Sequence, residues 1–425
     1  MFKTYLKQAM QMLKQNKFIS TISIIGTAIA IMMVMVIIVT DEIKQVSIAP
    51  EINRNKTMYI KYLSRVSKDK NGFHHSGVNY DFYKNYLSNL KTPILISAMN
   101  NQNKWNASIS ENTTIVADVI KCDENYWTFM SFSFIDGKPF SKSDFDSGLK
   151  KGIISEKFSK QLFGNENALG REFELNYDCY EVVGIVKDVS QVFEYAYADV
   201  WIPYSATDDL GKSYNDLFAF NYTEYTILFL MKSNADFDAL IKEVRNIEQK
   251  YNTVDKDWNI SFNGPHDHKT QLTLTASNLA PNSSGYKKKF ALIFCILLII
   301  PAVNLSGFSM SRIKRRTEEI GIRKAFGANK KTLLTQVLFE NFITSLIGGI
   351  IGLGLSYGIV FWLKEWLLNV PSESSIPIQA IVSFPVFLSV FVVCIILNLL
   401  SAGIPAYQSS RMSIVNSLNQ NNLPR

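Results

Sequence analysis

The charged segment at residues 311–328 contains the side chains whose types and spacing best suit a chemical role. Its sequence, SRIKRRTEEIGIRKAFGA, places two adjacent glutamates between groups of arginine and lysine. On a helix, Glu318 and Glu319 lie about one turn from Arg315, Arg316 and Arg323, where opposite charges pair. The chemistry that this spacing predicts is charge pairing rather than the making or breaking of bonds.

This segment has the local signals of a short helix. Residues 312–326 are mostly good helix formers, and Gly327 can supply the left-handed residue that ends a helix. Asn329 is then placed to cap the next helix, with Lys330 and Lys331 at the level of lipid headgroups. We therefore predict a short helix parallel to the inner face of a membrane.

Motifs for catalysis are absent from the sequence. It contains no G-x-x-x-x-G-K-[ST] phosphate loop, no H-E-x-x-H and no G-x-S-x-G. We interpret His74, His75, His266 and His268 as solvated loop histidines, because neither an H-E-x-x-H motif nor a Cys-His cluster supports a metal site. The sequence thus predicts a non-enzymatic chain with no catalytic residue and no metal site.

Four long apolar runs must position the charged segment. With 47% hydrophobic residues the chain is too apolar for an ordinary soluble protein of its size. The apolar residues concentrate in four runs, and about 20 helical residues cross a bilayer. The first run is too long for a signal peptide and no A-x-A cleavage site follows it, so we interpret it as an uncleaved anchor. We predict four transmembrane helices, at residues 18–40, 290–310, 333–363 and 381–404.

The basic residues predict the orientation of these helices. Residues 1–17 contain four lysines and no acid, and residues 311–331 contain eight basic residues against two glutamates. Basic flanks stay on the cytoplasmic side. Both termini, including the tail at 405–425, are therefore predicted to be cytoplasmic, and the loop at 364–380 to be outside. Three lysines at 287–289 would lie at the outer end of the second span, against this rule. The larger number of basic residues in the other flanks decides the prediction. The net charge of +7 then needs no nucleic-acid partner.

The N-terminal segment at residues 1–17 has apolar and basic residues near helical spacing. This pattern is typical of an amphipathic helix at the inner membrane surface, although a short solvated helix fits it equally.

Residues 41–286 contain no further span and form one large extracytoplasmic domain. The first end of the domain is predicted to form a strand at 58–63, a helix at 81–90 and a strand at 93–99. The second end is predicted to form a strand at 225–231, a helix at 236–251 and a strand at 258–262. Together they predict a ferredoxin-like α+β subdomain, with a mostly-β lobe inserted at 108–204. Cys122 and Cys179 would both be outside, but no spacing signature supports a disulfide between them.

Small and polar residues inside the third predicted span are expected to serve helix packing and charge pairing. Gly348 and Gly352 are four residues apart, as are Gly354 and Gly358, so each pair can admit a neighbouring helix closely. Glu340 is an ionisable group within the span, and we expect it to pair with the basic helix that precedes it.

The segment RRTEEIGIRKAFGANKKTLLTQVLFENFITSLIGGIIGLGLS closely resembles the FtsX/MacB-type ABC transporter permeases, at the cytoplasmic loop and third span. IDGKPFSKSDF, IISEKFSKQLFGNENALGREF and YEVVGIVKDV are similar to the periplasmic core domain of that family. The tail GIPAYQSSRMSIVNSL resembles the end of the family's chains but lacks the Ala-Arg-Arg-Ala sequence that is usual there. The positions that match the loop motif are Thr317, Glu319, Ile320, Gly321, Arg323, Lys324, Ala325, Gly327 and Ala328.

The resemblance implies a permease subunit of the bacterial inner membrane that works as a homodimer or heterodimer with a similar permease. A separate ABC ATPase would use ATP and Mg²⁺, and this chain would bind neither. Movement would pass to the periplasmic domain for efflux or for extracytoplasmic substrate handling. The further partners would be membrane lipid and a periplasmic adaptor, hydrolase or lipoprotein. The alternative is a membrane-anchored regulator of a cell-wall hydrolase, or a peptide sensor, without transport. The residues expected to couple to the ATPase are Arg315, Arg316, Thr317, Glu318, Glu319, Ile320, Gly321, Arg323, Lys324, Ala325, Gly327 and Ala328.

Overall fold

The computed structural model describes most of the N-terminal two thirds of the chain and one long helix beyond it. The described residues are 2–15, 17–69, 71–109, 114–207, 224–274 and 330–363, with isolated positions between 285 and 326 and between 388 and 407. The chain divides into a helical unit that includes Met1–Glu42 and an α+β unit that includes Ile43–Tyr286.

The helical unit contains α1 at Phe2–Gln15, most of α2 at Lys17–Gln45, and a helix of 33 residues, α9, at Lys330–Trp362. The last residues of α2, from Ile43 onward, belong to the α+β unit. Two stretches, Ser20–Gln45 and Leu334–Trp362, are long and apolar enough to cross a membrane. They coincide with the first and third predicted spans. The spans predicted at 290–310 and 381–404 lie outside the described residues apart from isolated positions, so the number of four stays a prediction.

The α+β unit has thirteen described strands and six described short or medium helices. The helices are α3 at Tyr80–Phe82, α4 at Tyr126–Phe129, α5 at Lys142–Asp146, α6 at Glu156–Phe163, α7 at Phe237–Val254 and α8 at His268–Gln271. The strands are β1 at Thr57–Ile60, β2 at Leu63–Ser67, β3 at Phe73–Ser76, β4 at Leu95–Ser108, β5 at Thr114–Cys122, β6 at Phe134–Gly137, β7 at Lys151–Ser155, β8 at Glu172–Leu175, β9 at Asp178–Val186, β10 at Val200–Pro203, β11 at Thr226–Leu230, β12 at Trp258–Ser261 and β13 at His266–Asp267.

Ten of these strands form one mixed sheet in the order β13-β1-β11-β4-β5-β10-β7-β9-β6, with β8 beside β4 and β9. The pairs β1–β11, β11–β4 and β1–β13 are antiparallel, whereas β5–β10 and β7–β9 are parallel. The strands predicted at the two ends of the domain are therefore neighbours in space.

The predicted ferredoxin-like arrangement differs from the structure at its edge. The strand predicted at 58–63 is two strands, since β1 ends at Ile60 and β2 begins at Leu63. β1 stays in the large sheet, while β2 pairs with β12 and β3 in a separate three-stranded sheet. The predicted strand at 258–262 consequently has β2 as its partner rather than β1.

Helix α7 closes the core between these sheets. Leu240 and Val244, one turn apart, are fully buried in a cluster with Phe82, Phe229 and Phe262. The helix predicted at 81–90 is shorter in the structure, where α3 continues only as a π-helical turn to Leu87.

The residues predicted as an inserted lobe contain β5 to β10 and the helices α4, α5 and α6. The Ser155 side chain caps α6 by accepting a hydrogen bond from the Phe158 amide at 3.2 Å. Cys122, buried on β5, and Cys179, exposed on β9, are both free thiols.

Candidate functional site

The predicted coupling segment lies almost wholly outside the described residues. Of the residues expected to couple to an ATPase, only Ala325 is described, and it is helical and exposed. Beside it the Phe326 amide donates to the Ile322 carbonyl at 3.1 Å. The coupling roles assigned to these residues, that of Ala325 included, stay predictions.

The glycines of α9 have unequal surroundings. A Cβ built on Gly348 would lie 2.8 Å from the Thr27 Cβ, and one built on Gly352 would lie 2.6 Å from the Ala28 carbonyl oxygen. Both glycines thus face α2 closely. Among the described residues, none has an atom within 4 Å of a Cβ built on Gly354 or Gly358, so a packing role for that pair stays a prediction.

Glu340 is buried within α9 and accepts a hydrogen bond from the Gln336 side chain at 3.2 Å. Gln336 is one helical turn earlier on the same helix. The pairing expected between Glu340 and the preceding basic segment involves residues outside the described part of the chain and stays a prediction.

A buried polar cluster surrounds the end of α2 inside the α+β unit. We define the α2-end cluster as Glu51, Arg54, Tyr59, Tyr195 and His268. Charged side chains are rarely fully buried unless they are paired. The Arg54 and Glu51 side chains are only 1% and 2% exposed, and their Nε and Oε2 atoms are 2.7 Å apart. The cluster is therefore a desolvated ion pair with further hydrogen-bonding partners.

Arg54 binds the C-terminal end of α2. Its Nη1 donates to the Ile43 carbonyl at 2.8 Å and to the Val46 carbonyl at 2.9 Å. The last carbonyls of a helix lack partners within the helix and carry the negative end of its dipole. A guanidinium group satisfies both requirements, because it offers several donors together with a permanent positive charge.

Glu51 ties the same arginine to a distant loop. The second carboxylate oxygen of Glu51 accepts the Tyr195 amide at 2.9 Å, and Arg54 Nη2 donates to the Val192 carbonyl at 3.3 Å. The Arg54 guanidinium also lies 4.9 Å from the centre of the Phe193 ring. Both charges are thus held by backbone groups more than 130 residues away in the chain.

His268 completes the capping of α2. Its Nε2 is 2.9 Å from the Lys44 carbonyl, which can only accept, so Nε2 carries the proton. Its Nδ1 is 3.3 Å from the Tyr59 hydroxyl and accepts from it. Burial raises the pKa of Tyr59 well above its usual value, so the phenol keeps the proton that it donates. The Tyr59 ring in turn stacks on Tyr195 with centroids 4.7 Å apart.

The histidine is held neutral in this position. Burial lowers the pKa of His268 below its ordinary value and the Arg54 charge lowers it further, against opposing effects of Glu51, the Lys44 carbonyl and Glu194. The unfolded chain therefore takes up a proton at a higher pH than the folded chain does. Stability from this group is present above about pH 6.5 and is lost as the pH falls.

We expect His268→Gln to cost about 1 kcal/mol in free energy of unfolding at pH 7.5, the loss of one hydrogen bond. That deficit should shrink as the pH is lowered to 5.5, because only wild type loses stability by protonation at this position. Pulse proteolysis in urea at three pH values measures the difference. The matched control is His74→Gln, since His74 is exposed on β3. A deficit that does not change with pH would contradict a buried neutral His268.

The interpretation of the histidines as solvated loop residues is wrong for His268, which is 4% exposed. His74 and His75 also lie on a strand rather than in a loop. Among the described residues, no three His, Cys, Asp or Glu side chains are close enough to hold a metal ion. Sequence reasoning missed the whole α2-end cluster, for which the Glu51-x-x-Arg54 spacing directly after a span was the one available signal.

Comparison with known proteins defines the class of protein to which this geometry belongs. A family model for the MacB-like periplasmic core domain matches residues 20–247, which is more than half of the chain. The FtsX-like permease C-terminal model matches residues 291–414. The chain is an ABC transporter permease with a periplasmic core domain, and it belongs to the MacB/FtsX family of these permeases.

The similar proteins are named as ABC transporter permeases or as MacB proteins. The uncharacterized ABC transporter permease YknZ of Bacillus subtilis is 23% identical over 71% of this chain and 70% of its own length. The macrolide export ATP-binding/permease protein MacB of Salmonella paratyphi A is 22% identical over 98% of this chain and 60% of its own length. This chain spans 38% of another MacB, from Chromobacterium violaceum.

Among solved structures, the extracellular domain of the YknZ transporter from Gram-positive bacteria matches at 18% identity. The match covers 48% of this chain and 99% of that domain, with a TM-score of 0.35.

Proposed function

We propose that the chain couples ATP hydrolysis by a separate ATPase subunit to movement of its periplasmic domain. In this proposal the segment at 311–328 receives the movement on the cytoplasmic side, and α2 carries it outward. The ATPase uses ATP and Mg²⁺, while this chain acts as a dimer with a second copy or a similar permease. Both termini are cytoplasmic and the domain at 41–286 faces the periplasm.

The observation that carries the proposal is the capping of α2. Arg54 binds the carbonyls of Ile43 and Val46 at the end of this helix. His268 binds the Lys44 carbonyl between them. A helix end with free carbonyls would fray, and a frayed end absorbs displacement. An end bound by two buried side chains supports the transfer of a displacement to the domain that holds them.

The test is co-expression with the neighbouring ATPase subunit and measurement of both assembly and ATP hydrolysis in proteoliposomes. We expect Glu319→Arg and Arg323→Glu, combined with Gly321→Pro, to abolish the stimulation of hydrolysis by the permease. Charge reversal within the periplasmic domain, at the exposed residues Lys256 and Asp257, is the matched control and should leave stimulation unchanged. Intact assembly and intact stimulation in the triple variant would refute the coupling role of the segment.

A further inference from the structure

Helix α1 presents an apolar surface that the coupling function does not explain. Leu6 and Met10 are one helical turn apart and are 38% and 46% exposed, and Phe18 at the start of α2 is 78% exposed. Ala9 is fully buried, and α1 contacts α9. The helix is therefore packed on one side and displays apolar side chains on another.

Basic side chains flank this apolar line. Lys7 and Lys14 are exposed and, at about 100° per residue, lie along one flank of the line through Leu6 and Met10. Lys17 is exposed just beyond the end of the helix. No acidic residue occurs in Phe2–Gln15. The surface thus combines apolar contact with a purely positive rim.

The position of α1 in the chain limits what can cover this surface. α1 ends at Gln15, and the stretch Ser20–Gln45 that is apolar enough to cross a membrane begins five residues later. A helix that directly precedes a membrane span is held at the level of the lipid headgroups. An exposed apolar line with a basic rim at that level matches a bilayer surface, where apolar residues enter the acyl boundary and lysines meet anionic headgroups.

We propose that α1 binds anionic phospholipid, with Lys7, Lys14 and Lys17 on the headgroup phosphates and Leu6, Met10 and Phe18 in the acyl boundary. The inference rests on the proposed function in one respect, the cytoplasmic position of the N terminus. There the leaflet is negatively charged, so each nearby basic residue strengthens the binding of the helix to the membrane about fivefold. This factor is the equivalent of about 1 kcal/mol. Three lysines together favour the bound helix on the order of 100-fold.

Hydrogen exchange of the full chain in nanodiscs tests the proposal. Amides 6–15 should exchange more slowly in phosphatidylcholine with added phosphatidylglycerol than in phosphatidylcholine alone, and high salt should weaken the effect. The variant K7Q/K14Q/K17Q should lose this lipid dependence, by up to about 100-fold in the protection of these amides. The matched control K242Q/K250Q/K256Q removes the same charge from exposed positions in the periplasmic domain and should keep it.

A second variant, L6Q/M10Q, keeps good helix formers and should reduce protection in both lipid mixtures. Equal exchange of wild type in the two mixtures would overturn the proposal, as would an equal loss in the control variant. Protection that follows protein concentration, or that appears only when the ATPase is added, would assign the surface to a second copy or to the ATPase instead. Failure of ATPase stimulation with the lipid effect intact would refute the coupling function alone.

Discussion

Arg54→Met is expected to lower the free energy of unfolding of the periplasmic domain by about 3–5 kcal/mol. The substitution leaves the Glu51 carboxylate buried at 2% exposure without its cation. It also leaves the Ile43 and Val46 carbonyls without the guanidinium that binds them. An uncompensated charge in a desolvated position is among the most costly single changes in a protein. Urea unfolding of the full chain in detergent, followed by pulse proteolysis, measures the loss.

Two further variants separate the buried charge from general effects. Lys142→Met removes a cation that is 71% exposed, with Glu124 and Asp146 as partners, and should cost far less stability than Arg54→Met, because solvent screens an exposed ion pair. The double variant Glu51→Met with Arg54→Met should recover part of the stability lost in the single variant, because no isolated charge remains. If Arg54→Met were as mild as Lys142→Met, the α2-end cluster would not hold the domain together.

Gly352→Ala is expected to destabilise the packing of α9 on α2 by about 1–3 kcal/mol. The new methyl group would lie 2.6 Å from the Ala28 carbonyl oxygen and 3.1 Å from the Ala28 Cα. Both are backbone atoms, so no flexible side chain can move aside and the helices must separate. The thermal midpoint of the full chain in detergent, followed by circular dichroism, should fall.

Gly354→Ala is the matched control on the same helix. No atom of the part of the chain that the structure describes lies within 4 Å of a Cβ built on Gly354, so the substitution should be neutral or slightly stabilising through helix propensity. If Gly354→Ala lowered the midpoint as much as Gly352→Ala, close approach of α2 would not be the reason that α9 contains glycine at residue 352.

The parts of the fold that follow local patterns were predictable from the sequence. The helix expected at 236–251 is α7, because its apolar residues recur at helical spacing and Leu240 and Val244 are the ones buried. The strand expected at 225–231 is β11, whose first four residues are buried and which lies inside the sheet between β1 and β4. Likewise the span-length runs at 18–40 and 333–363 fall on α2 and α9. In each case the pattern of apolar residues within one local segment indicates the structure.

Features that depend on the choice of a distant partner were not predictable in this way. MYIKYL has strand propensity throughout, yet it is divided after Ile60 because β1 pairs with β11 and β13 while β2 pairs with β12. The α2-end cluster joins residues 51 and 54 to residues 192 and 195, and residue 59 to residue 268, and no spacing rule connects these positions. A histidine in polar surroundings in the sequence reads as exposed, whereas tertiary packing removes His268 from water.

The attachment of His268 to Lys44 has a consequence for the order in which the protein is made. The two residues are 224 positions apart, so His268, which binds the Lys44 carbonyl, is synthesised long after α2 itself. Arg54, only 11 residues from Ile43, can bind the helix end early. A nascent chain therefore carries a partly capped α2 until nearly the whole domain has emerged. A chain truncated before residue 268 should therefore keep the Arg54 bonds to the helix end and lack only the bond to the Lys44 carbonyl.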